Sequence, residues 1–104
     1  MANSLGIFVT NANNWDHVKG VVRSARNKGI KVKVFFTWSG TRLTQQPDFK
    51  DLCELADDVS ICADSYKKMG FDVTVIPPGL APEKMATQAQ HGAIIEDYEK
   101  YLTL

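Results

Sequence analysis

Neither sign of charge prevails in this chain, where 12 lysine and arginine residues balance 12 aspartate and glutamate residues. Without a basic excess there is little to hold a phosphate backbone, which argues against a general nucleic-acid binder. No run approaches the roughly 18 to 20 apolar residues of a membrane helix, and Met1-Ala2-Asn3-Ser4 is not a basic segment followed by a long apolar one. The expectation is a soluble, cytoplasmic protein with no membrane partner. The only two cysteines, Cys53 and Cys62, are too few for a disulfide scaffold and too far apart for a C-x-x-C knuckle. In a reducing compartment they are thiols. His17 and His91 fall in separate predicted helices, so no metal site is expected. There is neither a G-x-G-x-x-G nor a Walker A lysine loop, and the polar loop after the first apolar run lacks glycine. No dinucleotide, nucleotide or flavin cofactor is expected.

Hydrophobic residues supply 44% of the 104 positions, enough for one packed domain over residues 1–104 and far from a disordered composition. Leu5 to Thr10 is short, apolar and β-branched, and stops at Asn11-Ala12-Asn13-Asn14, residues that favour turns and helix caps. Trp15, Val18, Val21, Val22 and Ala25 recur at helical spacing, predicting a helix over 14–28 with Gly29 as its cap. A second strand is predicted over 30–38, followed by a polar loop. A helix is expected over 47–55, a brief strand over 58–62, and a helix over 63–69 closed by Gly70. The alternation in Phe71 to Ile76 suggests a fourth strand, Pro82 a last helix to about residue 98, and Tyr101 to Leu104 a terminal strand. Alternating strands and helices imply an α/β fold: a mostly parallel sheet of four to five strands, with helices on both faces in a three-layer sandwich.

In such sheets reactive groups collect at the carboxyl ends of strands. The segments selected are Thr10 to Asn14, Thr37 to Arg42, Cys62 to Ser65 and Pro77 to Gly79, and among them only Cys62 is a strong nucleophile. A sulfur at a helix start faces unpaired backbone N–H groups, which favour thiolate or persulfide. Asp64 raises the thiol pKa if it points inward and is harmless if it caps the helix and faces water. Ser65 is placed to donate to the sulfur. The plainer alternative is that Cys62 is a small apolar residue buried at a strand end. Cys53, on a helix among apolar neighbours, is expected in the core, with a resolving role toward Cys62 as the alternative. Asp57 and Asp58 precede a strand and suit a solvated turn; Trp15 and Trp38 suit packing.

With these residues in order, the chain resembles the DsrE/DsrF-like (TusD-like) family of sulfur relay proteins. The second strand and its exit, Lys31-Val32-Lys33-Val34-Phe35-Phe36-Thr37-Trp38-Ser39-Gly40, look like the family's Phe-Phe-Thr-x-x-Gly segment, and Val59-Ser60-Ile61 with Cys62-x-x-Ser65-x-x-x-Met69-Gly70 looks like its cysteine strand and helix. The ending Tyr101-Leu102-Thr103-Leu104 is similar to its short final strand. The resemblance implies a flavodoxin-related, DsrE-like topology. It also implies that Cys62 is the reactive cysteine, accepting sulfur from a donor protein and passing it to an acceptor thiol, within a homo-oligomer or a complex of related subunits. On that reading the backbone amides of Ala63 and Asp64 steady the anion, while Asn13, Thr37, Ser39, Gly40 and Ser65 line the pocket. The competing expectations are a non-catalytic oligomeric assembly module with a structural Cys62, and redox sensing through a Cys53 to Cys62 disulfide.

Overall fold

In β1 (Ser4–Val9) and β2 (Lys31–Phe36), apolar residues fall on both faces of the strand, as central strands of a parallel sheet require. The computed structural model describes residues 4–86 and 100–104. Three further strands, β3 (Asp58–Cys62), β4 (Met85–Ala86) and β5 (Lys100–Thr103), complete a five-stranded sheet in the order β4-β3-β2-β1-β5. Every pairing is parallel, with Ile7 opposite Val34, Val34 opposite Val59 and Ile7 opposite Leu102.

The chain steps in one direction from β1 to β4, and right-handed crossovers in one direction stack their helices on one face. Accordingly α1 (Trp15–Asn27) and α2 (Phe49–Leu55) share a core with that face. Trp15, Val18, Val22 and Ala25 of α1 and Phe49 and Leu52 of α2 bury against Ile7, Val9, Val32, Val34, Phe36, Val59 and Ile61. Phe36 meets Phe49 edge-on, ring centroids 5.5 Å apart, and lies 6.5 Å from the Trp15 ring. Asp48 joins the two helices from their solvent side: it accepts from Trp15 Nε1 at 2.8 Å and from Lys19 Nζ at 2.7 Å. Asp57 ends the α2 connection by accepting from the Val32 amide at 2.6 Å and from Arg26 at 3.0 Å. On the other face of the sheet Phe8, Phe35 and Cys62 form a second buried cluster, with Ala86 packed against it.

Several expectations need correction. Residues 71–76 are not a strand: Asp72 Oδ1 accepts from the Thr74 amide at 2.9 Å and its hydroxyl at 2.7 Å, capturing the backbone in a turn. Val75 is left 63% exposed, so the alternation there has no sheet to face. Pro82 starts only one 3₁₀ turn, Pro82–Lys84, and the chain then enters β4, where the sequence suggested continuing helix. The rest of that expected last helix, residues 87–98, lies outside the described residues, and with it the expected helical layer on the second face. The second strand ends at Phe36 rather than Trp38, and a 3₁₀ segment, Trp38–Gln45, replaces the expected loop.

Because Phe36 is fully buried between α1 and α2, Phe36→Ala is expected to cost about 3–5 kcal/mol. Urea unfolding measures it, and a loss below about 1 kcal/mol would contradict this core.

Candidate functional site

Cys62 is the last residue of β3 and the N-cap residue of α3 (Ala63–Lys68). The strand order advances to β4 and then resumes at the opposite edge with β5. The reversal therefore falls at the carboxyl ends of β3 and β4, where Cys62 stands in register with Ala86. Sites in open α/β sheets form at such reversals. The side chain points into the second face beside Phe8 and Phe35 and is 1% exposed.

Around it the exits of three strands are stitched together. Ser65 Oγ in the first turn of α3 meets Thr37 Oγ1 at 3.2 Å, with either atom able to donate. The Thr37 amide donates to Val9 O at 2.9 Å, the Gly40 amide to Thr37 O at 3.0 Å, and Ser39 Oγ to Thr10 O at 3.3 Å. Gly40 sits so close to β1 that a Cβ would overlap Val9 O and stand 2.7 Å from its carbonyl carbon. Only glycine fits there. Trp38, between them, has a φ of 51° and is 60% exposed, an uncommon conformation for a bulky residue. Lys68 Nζ of α3 lies 5.9 Å from its ring.

The structure thus gathers Cys62, Ala63, Asp64, Ser65 and Thr37, with Ser39 and Gly40 holding the neighbouring exit. Asp64 is exposed, so it faces water. Asn13 is also exposed, its amide bonded to Asn11 Oδ1 at 2.7 Å. It follows β1, two strands or about 10 Å across the sheet from β3, and does not join the group. Cys53 packs with the α1 and α2 core, on the opposite face from Cys62. A disulfide between them would have to pass through the sheet, which removes the redox-pair reading. Burial, with the Glu54 carboxylate adding to it, pushes the Cys53 thiol up to about 11.

Other features lie apart from this group. A groove of about 500 Å³ lined by Leu5, His17, Val21, Ser24, Lys28 and Ile30 follows α1 at the amino ends of β1 and β2, the wrong end of the sheet for Cys62. Among the described residues no three His, Cys, Asp or Glu side chains converge as metal ligands, and no helix is long and apolar enough to cross a membrane. Two features of the second face escaped sequence reasoning. Lys33, 9% exposed, extends to Asp58 Oδ2 at 2.7 Å, and Lys84 Nζ lies 2.8 Å from Asp58 Oδ1. Ser60, 1% exposed, shares the face with Cys62. Register, Lys33 opposite Asp58 and Phe35 opposite Ser60, places them there, and nothing local in the sequence announces it.

Two outcomes follow from this geometry. Gly40→Ala is expected to destabilise by about 3 kcal/mol, through forced separation of β1 from the Trp38–Gln45 segment; a stability equal to wild type in urea unfolding would mean that the close approach is not real. Burial works to raise the Asp58 pKa, but the ammonium groups of Lys33 and Lys84 outweigh it and hold the carboxyl below its usual 3.8. A depressed carboxylate contributes stability above its unfolded pKa and loses it as pH falls through the folded one. Asp58→Asn is therefore expected to cost about 2 kcal/mol at neutral pH, with the gap to wild type closing below pH 3.8. A gap that stays constant on acidification would overturn the assignment.

No family model matches the chain, and no curated protein matches it in sequence. Among solved structures, the crystal structure of the ychN protein from E. coli aligns over 100% of both chains, with a TM-score of 0.72 at 9% sequence identity. At that identity the likeness carries the fold alone. The chain has an α/β fold with a five-stranded all-parallel sheet, the fold of that ychN structure.

Proposed function

We propose that the protein is a sulfur carrier that accepts sulfane sulfur on Cys62 and yields it to a partner thiol. The observation that carries this reading is the position of Cys62: a thiol at the carboxyl end of β3, where the strand order reverses, and at the start of a helix. The reaction balances without a cofactor. The Cys62 thiolate attacks the outer sulfur of a donor persulfide, a new S–S bond forms as the donor's S–S bond breaks, and the donor thiolate leaves with the electron pair. The outer sulfur keeps its oxidation level, and the reverse exchange with an acceptor thiolate unloads it. The first amides of α3 lack intrahelical partners and favour an anion at this point.

Access is the demanding step, since Cys62 is 1% exposed. The strand beside it is β4, two residues long, with Ala86 opposite Cys62 and Met85 opposite Ile61. A two-residue edge strand belongs to the low end of local opening free energies, and its separation would free the Cys62 end of β3 at the sheet edge. Donor and acceptor proteins, and any second copy of the chain, would approach there.

One observation favours a second reading. The burial of Cys62 in one cluster with Phe8 and Phe35 suits a structural cysteine in a non-catalytic assembly module. The two readings part in one experiment: reduced protein is incubated with a persulfide donor and its intact mass measured, for wild type, Cys62→Ser and Cys53→Ser. Wild type and Cys53→Ser are expected to gain one or more sulfur atoms and Cys62→Ser none. No gain in wild type, under conditions that load a control carrier, would leave the assembly reading in place.

A further inference from the structure

Ser60 precedes Cys62 by two residues on β3, so strand alternation directs both side chains to the same face. That face is apolar at this end: Phe8, Phe35 and Cys62 are all buried, with Ala86 against them. In these surroundings Ser60 is 1% exposed, and its hydroxyl has no hydrogen-bond partner among the described residues. Buried hydroxyls in native folds are almost always paired, so an unmet one points to something absent from the resting chain. The polar group farther along the strand, Lys33 Nζ, bonds Asp58 Oδ2 at 2.7 Å and does not reach the Ser60 hydroxyl.

Distance suggests what does. Residues two apart on a strand stand about 6.5 Å from each other, too far for a serine hydroxyl to bond a bare cysteine sulfur when both side chains stand upright. One added sulfur extends the cysteine by about 2 Å through an S–S bond, which leaves about 4.5 Å between upright side chains, and the lean of strand side chains along the strand brings the outer sulfur within reach of the hydroxyl. We infer that Ser60 donates a hydrogen bond to the outer sulfur of a persulfide held on Cys62. The inference rests on the carrier reading above and adds to it a positioning residue and a reason for the unpaired hydroxyl. The bond favours the persulfide anion over its neutral form and holds the outer sulfur along β3 until an acceptor thiolate attacks it. No atoms beyond those of the exchange are involved: the serine proton stays on its oxygen.

The test compares wild type, Ser60→Ala and Ser60→Thr, each loaded with a low-molecular-weight persulfide and followed by intact mass. The pH dependence of alkylation of the loaded sulfur by a neutral reagent is then measured, with the lifetime of the loaded form in the absence of thiols. All three are expected to load. The alkylation midpoint of Ser60→Ala is expected to rise by about half to one pH unit, a roughly three- to tenfold change in ionisation, with a correspondingly shorter lifetime, while Ser60→Thr stays near wild type. In the unloaded state Ser60→Ala should unfold in urea no earlier than wild type. Equal midpoints and lifetimes for the alanine and wild-type proteins would remove Ser60 from the site and leave Cys62 as carrier. A clear loss of stability in unloaded Ser60→Ala would show that the hydroxyl already has a partner, overturning the inference. Failure of wild type to load would remove the carrier reading and this inference together.

Discussion

A parallel strand in the middle of a sheet has no solvent face, and the organisation of this molecule follows from that constraint. β1, β2 and β3 must each bury two sets of side chains. Ile7, Val34, Phe36 and Ile61 go to the face covered by α1 and α2, while Phe8, Phe35, Ser60 and Cys62 go to the other. The period of two along β3 therefore decides the environment of the only cysteine at a strand exit. A shift of one residue in register would turn Cys62 toward the α1 and α2 core and Ile61 away from it.

The strand exits are held by a different kind of force. Where the sheet ends, backbone groups lose their ladder partners and local bonds replace them, Ser39 Oγ on Thr10 O and the Gly40 amide on Thr37 O, while the Thr37 and Ser65 hydroxyls bond each other. Gly40 permits this by having no Cβ where β1 passes. The sulfur lies just below this polar rim and above a line of buried groups on β3, with an unmet hydroxyl at Ser60 and a carboxylate at Asp58 neutralised by two lysines. The cysteine is thus enclosed rather than open, with the two-residue β4 beside it.

The elements with strong patterns were legible. The amphipathic repeat from Trp15 to Ala25, the glycine at position 29 with a φ of 75°, and the strand ending in Cys62 are all where the sequence suggests. Reading failed where a local interaction and a pattern competed. Phe71 to Ile76 alternates as a strand does, but the Asp72 carboxylate bonds Thr74 and folds the segment back. Met85 and Ala86 fit a helix equally well, and pairing with Ile61 and Cys62 draws them into the sheet. Of the candidate site, Cys62, Ser65 and Thr37 were legible because the carboxyl-end rule names loops. Asn13 satisfied the same rule and lies elsewhere, since the rule does not say which loops are neighbours.

What the sequence determined by itself is local: the apolar period of each element, the turn residues between them, and a cysteine at a strand-to-helix junction. These depend on residues within a few positions of one another. Only the tertiary structure decided that Cys53 and Cys62 lie on opposite faces, that Lys33 is neutralised by Asp58, and that Ser60, beside Cys62, has no partner among the described residues. Each of these depends on strand order and register, which are set by the packing of both faces at once.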